Sequence, residues 1–277
     1  SKIHVTSLLN FGLSQIRRPL AVIFKKMELI DTNILYYKHK NSKYKIDIKD
    51  KNICSINALE FLKNIEKVHT NSAKYYIPVN TGLNVHFGML LSKFHKNRAF
   101  NKRLSDSITF EFNNDFPSYN LYNNISVQHI INNKERELLK ASIDFLPKED
   151  FKDINSKYNF LIDYNLNCIS LDQSDVDLSM ELLSKFLLKH SLKEDFRNCW
   201  NDLLIASVAV NRNLNLVSND KLLNQFVSSE FGIKEKKITD KITEYNFSSN
   251  LVTERKHEKF ESKGYVNRSW NYRMKTK

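Results

Sequence analysis

"MELIDTNILYY", residues 27–37, sets an aspartate and an asparagine at the end of a short apolar run. Leu29 and Ile30 read as a strand that stops at Asp31, with Asn33 two residues further on. A carboxylate in that place caps a turn or the helix that follows. Alternatively it is one ligand of a site assembled from distant parts of the chain.

The same grammar recurs downstream. "NICSIN" (52–57) reads as a strand ending in small polar residues. "ALEFLKNIEKV" (58–68) reads as a helix with Leu59, Leu62 and Ile65 on one face and Glu60 in its first turns. "LNCISL" (166–171) is a strand with Asp172 at its end, and "SDVDLSMELLSKFLLKH" (174–190) a helix with Val176, Met180, Leu183 and Leu187 on its buried face. "NDLLIASVAVNRN" (201–213) is a strongly apolar helix with Asp202 at its start. "LNLVSND" (214–220) is again a strand ending in an acid, Asp220, and "KLLNQFV" (221–227) reads as a helix. Strands alternating with helices predict an α/β fold, a central parallel sheet flanked by helices.

Three segments stand outside that alternation. Residues 1–26 read as a basic, amphipathic helical extension. Residues 70–160 read as a mainly helical insertion, with "HFGMLLSKFHKNRAF" (86–100) and "NKERELLKASIDFL" (133–146) as its helices. Residues 246–277 lack an apolar period and form a basic tail.

Bulk composition narrows the function. A chain of 277 residues with 41% hydrophobic residues can bury a core as one large domain or two small ones. The longest apolar run near the N-terminus, "PLAVIF" (19–24), is far short of the ~20 residues needed to cross a bilayer. With no signal-peptide pattern, a cytoplasmic, membrane-free setting is expected. The three cysteines, Cys54, Cys168 and Cys199, have no CxxC spacing, which argues against a disulfide framework or a zinc ribbon. The histidines show no HExxH spacing, and five glycines leave little room for a phosphate-cradling loop. A net charge of +12 favours a polyanionic partner, because Lys and Arg release counterions from phosphates.

Asp31, Glu60, Asp202 and Asp220 fall at strand ends and helix starts. In a parallel sheet such positions converge on one edge. Four packed carboxylates repel one another and raise each other's pKa unless a cation sits between them. Mg2+ and Mn2+ take hard oxygen ligands of this kind, alongside waters and a substrate phosphate. A metal so held polarises a phosphate and lowers the pKa of a bound water. An acidic centre inside a basic protein therefore fits phosphodiester hydrolysis.

Taken in order, "LIDTNIL", "ICSINALEFL", "NDLLIASVAV" and "LVSND" resemble the PIN-domain nuclease superfamily, which includes the VapC-type toxins. The first motif of that family is a strand followed by Asp-x-Asn, matched by Asp31 and Asn33. The second is a hydroxyl residue with a downstream Glu, matched by Ser55 and Glu60. The third is an Asp opening an Ala-rich helix, matched by Asp202. The fourth is Ser/Thr-x-Asp, matched by Ser218 and Asp220. The resemblance covers 27–68 and about 160–230, within a nuclease domain spanning 27–245.

The resemblance implies a Mg2+- or Mn2+-dependent endoribonuclease. Asp31, Glu60, Asp202 and Asp220 would be the metal ligands, direct or through water, with Asn33 and Ser218 orienting them. It implies an RNA substrate, tRNA or mRNA, in a toxin or antiviral-defence setting, with a regulatory protein partner and a homodimer as further expectations. A DNA-directed nuclease and a catalytically silent RNA- or protein-binding module are the alternatives. Two departures stand out: the long stretch between Glu60 and Asp202, and "NRN" (211–213) where the family carries a glycine after the third-motif helix. Asn tolerates the left-handed conformation such a position needs.

Each residue also has an ordinary reading. Asp31 and Asp220 could cap helices, and Glu60 and Asp202 could simply favour the positive end of a helix dipole. Asp172, Asp175 and Asp177 are expected to cap the helix at 174–190. Lys93, Lys96, Arg98, Lys102 and Arg103, interleaved with Phe94, His95 and Phe100, read either as a basic helix with buried aromatics or as a phosphate-binding face with base stacking. Lys38 and Lys40, which follow Asp31 closely, form a second nucleic-acid-binding candidate.

Overall fold

The computed structural model describes residues 27–41, 45–65, 75–79, 102–112, 116–190, 196–232, 235–239, 242–247 and 269–273. The helices expected at 1–26 and 86–100, and with them Lys93, Lys96 and Arg98, lie outside the described residues. In chain order, the first elements are β1 (Glu28–Ile30), α1 (Thr32–Lys40), β2 (Asn52–Cys54), α2 (Ser55–Phe61), β3 (Ser107–Phe112) and β4 (Phe116–Tyr122). Then come α3 (Asn124–Asn132), α4 (Arg136–Ile143), α5 (Lys148–Asp163), β5 (Asn167–Ile169), α6 (Gln173–Lys189) and α7 (Phe196–Asn211). The last are β6 (Asn215–Ser218), α8 (Leu222–Glu230), β7 (Glu235–Thr239), β8 (Ile242–Asn246) and β9 (Ser269–Arg273).

Six strands form the central sheet in the order β5-β2-β1-β6-β8-β7. The first four are parallel. The last two run antiparallel and close one edge. The α/β fold expected from the alternation is therefore present, with a mostly parallel sheet flanked by helices. Leu29, Ile30, Ile53, Cys54, Leu216 and Val217 are all buried. Central parallel strands covered on both faces carry unbroken apolar runs of this kind. The chain steps from β1 to β2 to β5 in one direction, then returns to lay β6 on the other side of β1. That reversal opens a crevice between the carboxyl ends of β1 and β6, the place where open α/β sheets bind ligands.

Helix α7 is apolar nearly all round, with Leu203 through Val210 buried. A helix of that composition belongs in the interior. It ends before Asn213, whose φ of 52° is left-handed, as the "NRN" reading requires. Asp172 caps α6: its side chain accepts from the Asp175 N–H, and Asp175 accepts in return from the Asp172 N–H. Arg212 bridges both carboxylates at 2.6 and 3.1 Å. Asp172 and Asp175 cap the helix as expected, whereas Asp177, inside it, accepts from the Gln173 side-chain amide.

Beside its helices, the insertion carries strands that the sequence reading does not single out. Ser107–Phe112 and Phe116–Tyr122 form an antiparallel pair of strands, and α3, α4 and α5 follow them. "SITFEF" buries Ile108, Phe110 and Phe112 in strict alternation, the period of a half-buried strand. Within the basic tail, Ser269–Arg273 lies parallel beside β3 and completes a three-stranded sheet. One expectation needs correction, and it is local. "NICSIN" is a strand only as far as Cys54; helix α2 already begins at Ser55 and ends at Phe61. Lys63, at a φ of 57°, turns the chain away.

The small sheet packs on α7 through aromatic rings. Trp200 is fully buried and stands edge-on to Phe110 and Phe112, at centroid separations of 5.3 and 5.2 Å. Among the described residues no helix is long and apolar enough to cross a membrane.

Candidate functional site

Asp31 leaves β1 at the crevice. Its backbone N–H donates to the Val217 carbonyl at 3.0 Å, which pins it against the end of β6. It is the N-cap of α1, in extended backbone, and one carboxylate oxygen accepts the Thr32 N–H at 2.6 Å. The other oxygen accepts the Ser218 hydroxyl at 2.5 Å. Ser218 Oγ in turn accepts the Asp220 N–H at 3.0 Å. One hydroxyl at the end of β6 therefore ties both aspartate segments together.

Asp31 is buried. Burial pushes its carboxyl above the usual aspartate range against the hydrogen bonds from Ser218, Thr32 and Asn33, and the negative charge of Asp220 pushes the same way. Two acids are thus brought together where the topology opens the crevice, and Asn33 supports one of them. The N-cap reading of Asp31 holds, and the cap itself fixes a carboxylate at the crevice.

Glu60 joins the same network from α2. Thr32 Oγ1 donates to its Oε2 at 2.7 Å, and Asn201 Nδ2 donates to its Oε1 at 2.9 Å. Asn57 holds this corner. Its Oδ1 accepts the Cys54 N–H at 3.0 Å at the start of α2, and its Nδ2 donates to Thr32 Oγ1 at 3.0 Å. The Tyr36 hydroxyl donates to the Glu60 carbonyl oxygen at 2.8 Å. The result is a continuous hydrogen-bonded line from Asn201 through Glu60, Thr32, Asp31 and Ser218 to Asp220.

The third motif enters this line through Asn201 rather than Asp202. Successive residues on a helix point about 100° apart, and it is Asn201 whose side chain bonds Glu60. Asn201 is buried and also receives the Tyr119 hydroxyl of β4 at 3.4 Å; Asp202 is half-buried. Ser55 of the second motif turns away, donating to Asn124 Oδ1 at 2.6 Å and fastening α3 to α2.

Among the described residues no three carboxylate, imidazole or thiol side chains converge as a ready metal cage. The donor set suits a lighter arrangement. Mg2+ is commonly held by one or two carboxylates, with waters and substrate phosphate filling the remaining positions. Asp31 and Asp220 are the two carboxylates at this edge that such an arrangement would use, and Glu60 is oriented beside them by two donors.

Thr32, Asn57 and Asn201 carry no motif signal of their own in the sequence. Thr32 sits inside the Asp-x-Asn motif and Asn201 directly before Asp202, so both are adjacent to the signal. Of the basic candidates, Lys38, Lys40, Lys102 and Arg103 lie on described residues. Lys38 and Lys40 end α1, and Lys102 lies over the Tyr122 ring at 5.4 Å.

Ser218→Ala removes a hydroxyl bonded to both aspartate segments. It should weaken Mn2+ affinity about 10- to 100-fold, as loss of ligand-orienting partners does, measured by calorimetric titration. No family model, curated protein or solved structure matches the chain.

Proposed function

We propose that the protein is a metal-dependent nuclease of PIN type, hydrolysing phosphodiester bonds with RNA as the substrate. The observation that carries this reading is the hydrogen-bonded line from Asn201 to Asp220, set at the crevice between β1 and β6. It contains all of Asp31, Glu60, Ser218 and Asp220, residues that lie far apart in sequence. A buried Asp31 facing a second carboxylate is costly for folding alone. A cation between the two relieves that cost.

Asp31 and Asp220 would hold Mg2+ or Mn2+, with Glu60 and Asp202 acting through water. When bound, the metal lowers the pKa of its water and neutralises charge on the phosphate. Ser218 and Asn33 fix the Asp31 carboxylate through hydrogen bonds. Thr32 and Asn201 each donate to one Glu60 oxygen and so fix the orientation of its carboxylate. The net charge of +12 draws the substrate backbone to the surface. A toxin or antiviral-defence role is the setting this reading suggests.

A second reading has its own observation. Both Glu60 oxygens already have protein donors, and among the described residues no three acids converge, which suits a silent RNA-binding module that keeps the network for packing. Cleavage of total RNA, tRNA and single-stranded DNA, with Mn2+, Mg2+ or EDTA, separates the two. Metal-dependent cleavage that Asp220→Asn removes supports the nuclease. RNA binding without turnover, unchanged by Asp220→Asn, supports the module.

A further inference from the structure

A cavity of about 450 Å³ opens between the end of α1 and helix α5. Its size is that of a small-ligand site. Helix α5 contributes Asn155, Ser156, Asn159 and Phe160; Tyr164 follows that helix, and His39 comes from α1. Phe160 and Tyr164 lie 4.7 Å apart with rings tilted at 49°, and His39 stands edge-on to Phe160 at 5.3 Å. The amide oxygens of Asn155 and Asn159, one helical turn apart, have no hydrogen-bond partner among the described residues. Unsatisfied amide oxygens of this kind cost stability, and the fold gains nothing visible from keeping two of them at one cavity.

Charged side chains frame the opening, the acidic Asp163 among them. Lys38 Nζ lies 6.0 Å from the Tyr164 ring centroid, and Lys152 lines the wall. Helix α1 connects this cavity to the acidic edge: it begins at Asp31 and ends in Lys38, His39 and Lys40. At 1.5 Å per residue, roughly 12 Å separate its two ends.

We propose that this cavity seats one unpaired nucleobase of a strand whose backbone runs along α1 to the acidic edge; this rests on the nuclease reading above. Aromatic rings offer a stacking surface to any base. Asn amides supply paired donor and acceptor groups to a base edge, and sequence-selective reading of RNA uses unstacked bases in this manner. Lys38 and Lys40 take the phosphates that flank the base. The chain thus reads a base at a fixed distance from the bond presented to Asp31 and Asp220.

The test is fluorescence anisotropy in EDTA, so that nothing is cleaved, with a labelled single-stranded RNA, the matching DNA and an abasic strand. The full chain is compared with the Asn155→Ala/Asn159→Ala double variant and with Tyr164→Leu, each checked for folding by circular dichroism. Each variant should lose about tenfold in affinity for base-carrying strand while binding to the abasic strand stays level. A loss on either RNA or DNA supports the pocket and names the strand. Folded variants that bind as the original does, or that lose equally on the abasic strand, overturn it. Metal-dependent cleavage alongside such a result leaves the nuclease reading standing without the pocket. Base-dependent binding with no cleavage in Mn2+ leaves the pocket standing without the nuclease.

Discussion

Asp31→Asn should lower Mn2+-dependent cleavage by more than about 100-fold, beyond the 10- to 100-fold range of residues that only orient ligands. In the same protein, metal-free stability should rise. The substituted side-chain amide keeps an oxygen for the Thr32 N–H, while its NH2 donates to Ser218 Oγ, reversing that hydrogen bond. The variant also lacks the buried charge facing Asp220. An ordinary aspartate titrates at 3.8, and burial holds the folded Asp31 above that. The folded state therefore keeps a proton over a window above 3.8 in which the unfolded chain has lost it. Stability of the metal-free original falls as pH rises through that window, and the penalty is complete above the folded pKa. The amide variant has no such dependence, so its advantage should be greatest at neutral pH and vanish below 3.8. Thermal denaturation in EDTA across that range reads this directly. A variant that is inactive but no more stable at neutral pH would mean that Asp31 costs the fold nothing.

Trp200→Ala should cost about 3–5 kcal/mol, the range for deleting a large buried aromatic. Its ring is fully buried against Phe110 and Phe112, which carry the inner face of the small sheet. Among the described residues its indole nitrogen makes no hydrogen bond, so the loss is one of packing. For a chain of this size each kcal/mol moves Tm by roughly 2–4 °C, which scanning calorimetry resolves. Cleavage should suffer as well, because Asn201, the next residue, holds Glu60 on one side and meets Tyr119 of β4 on the other. Trp200→Phe, which keeps a ring in the same slot, should retain most of both. If Trp200→Ala destabilised the chain without touching cleavage at low temperature, the small sheet would be a separate prop rather than a support of the site.

The central sheet is legible in the sequence because its strands are short, apolar and regularly spaced by amphipathic helices. Leu29–Ile30 and Leu216–Val217 are apolar on both faces, as only strands covered from both sides can be. Convergence at the sheet edge follows from the same alternation, and Asp31, Ser218 and Asp220 meet there. The β-hairpin escapes the reading although "SITFEF" alternates openly, because the Asn-rich stretches around it and the helical periods further on draw the whole insertion into one class. Pairing of Ser269–Arg273 with β3 is illegible for another reason. Strand partners far apart in sequence leave no local trace, and a run of basic residues hides a strand of only five residues.

Asn201 shows the limit most clearly. The sequence favours the charged member of "ND", since a carboxylate is the stronger metal ligand. Helix phase decides otherwise for the contact with Glu60: α7 buries Asn201 and leaves Asp202 half-exposed. Asn201→Ala should therefore free one Glu60 oxygen and lower cleavage, while Asn201→Asp should lower it further at neutral pH by setting a second carboxylate against Glu60. Initial rates over a pH series distinguish the two variants.

Calorimetric titration of Mn2+ into the EDTA-stripped protein tests the account at its centre. One site should appear, be removed by Asp31→Asn and by Asp220→Asn separately, and weaken as pH falls and Asp31 takes up its proton. Absence of binding, or binding that survives both substitutions, would contradict a metal centre at the crevice between β1 and β6.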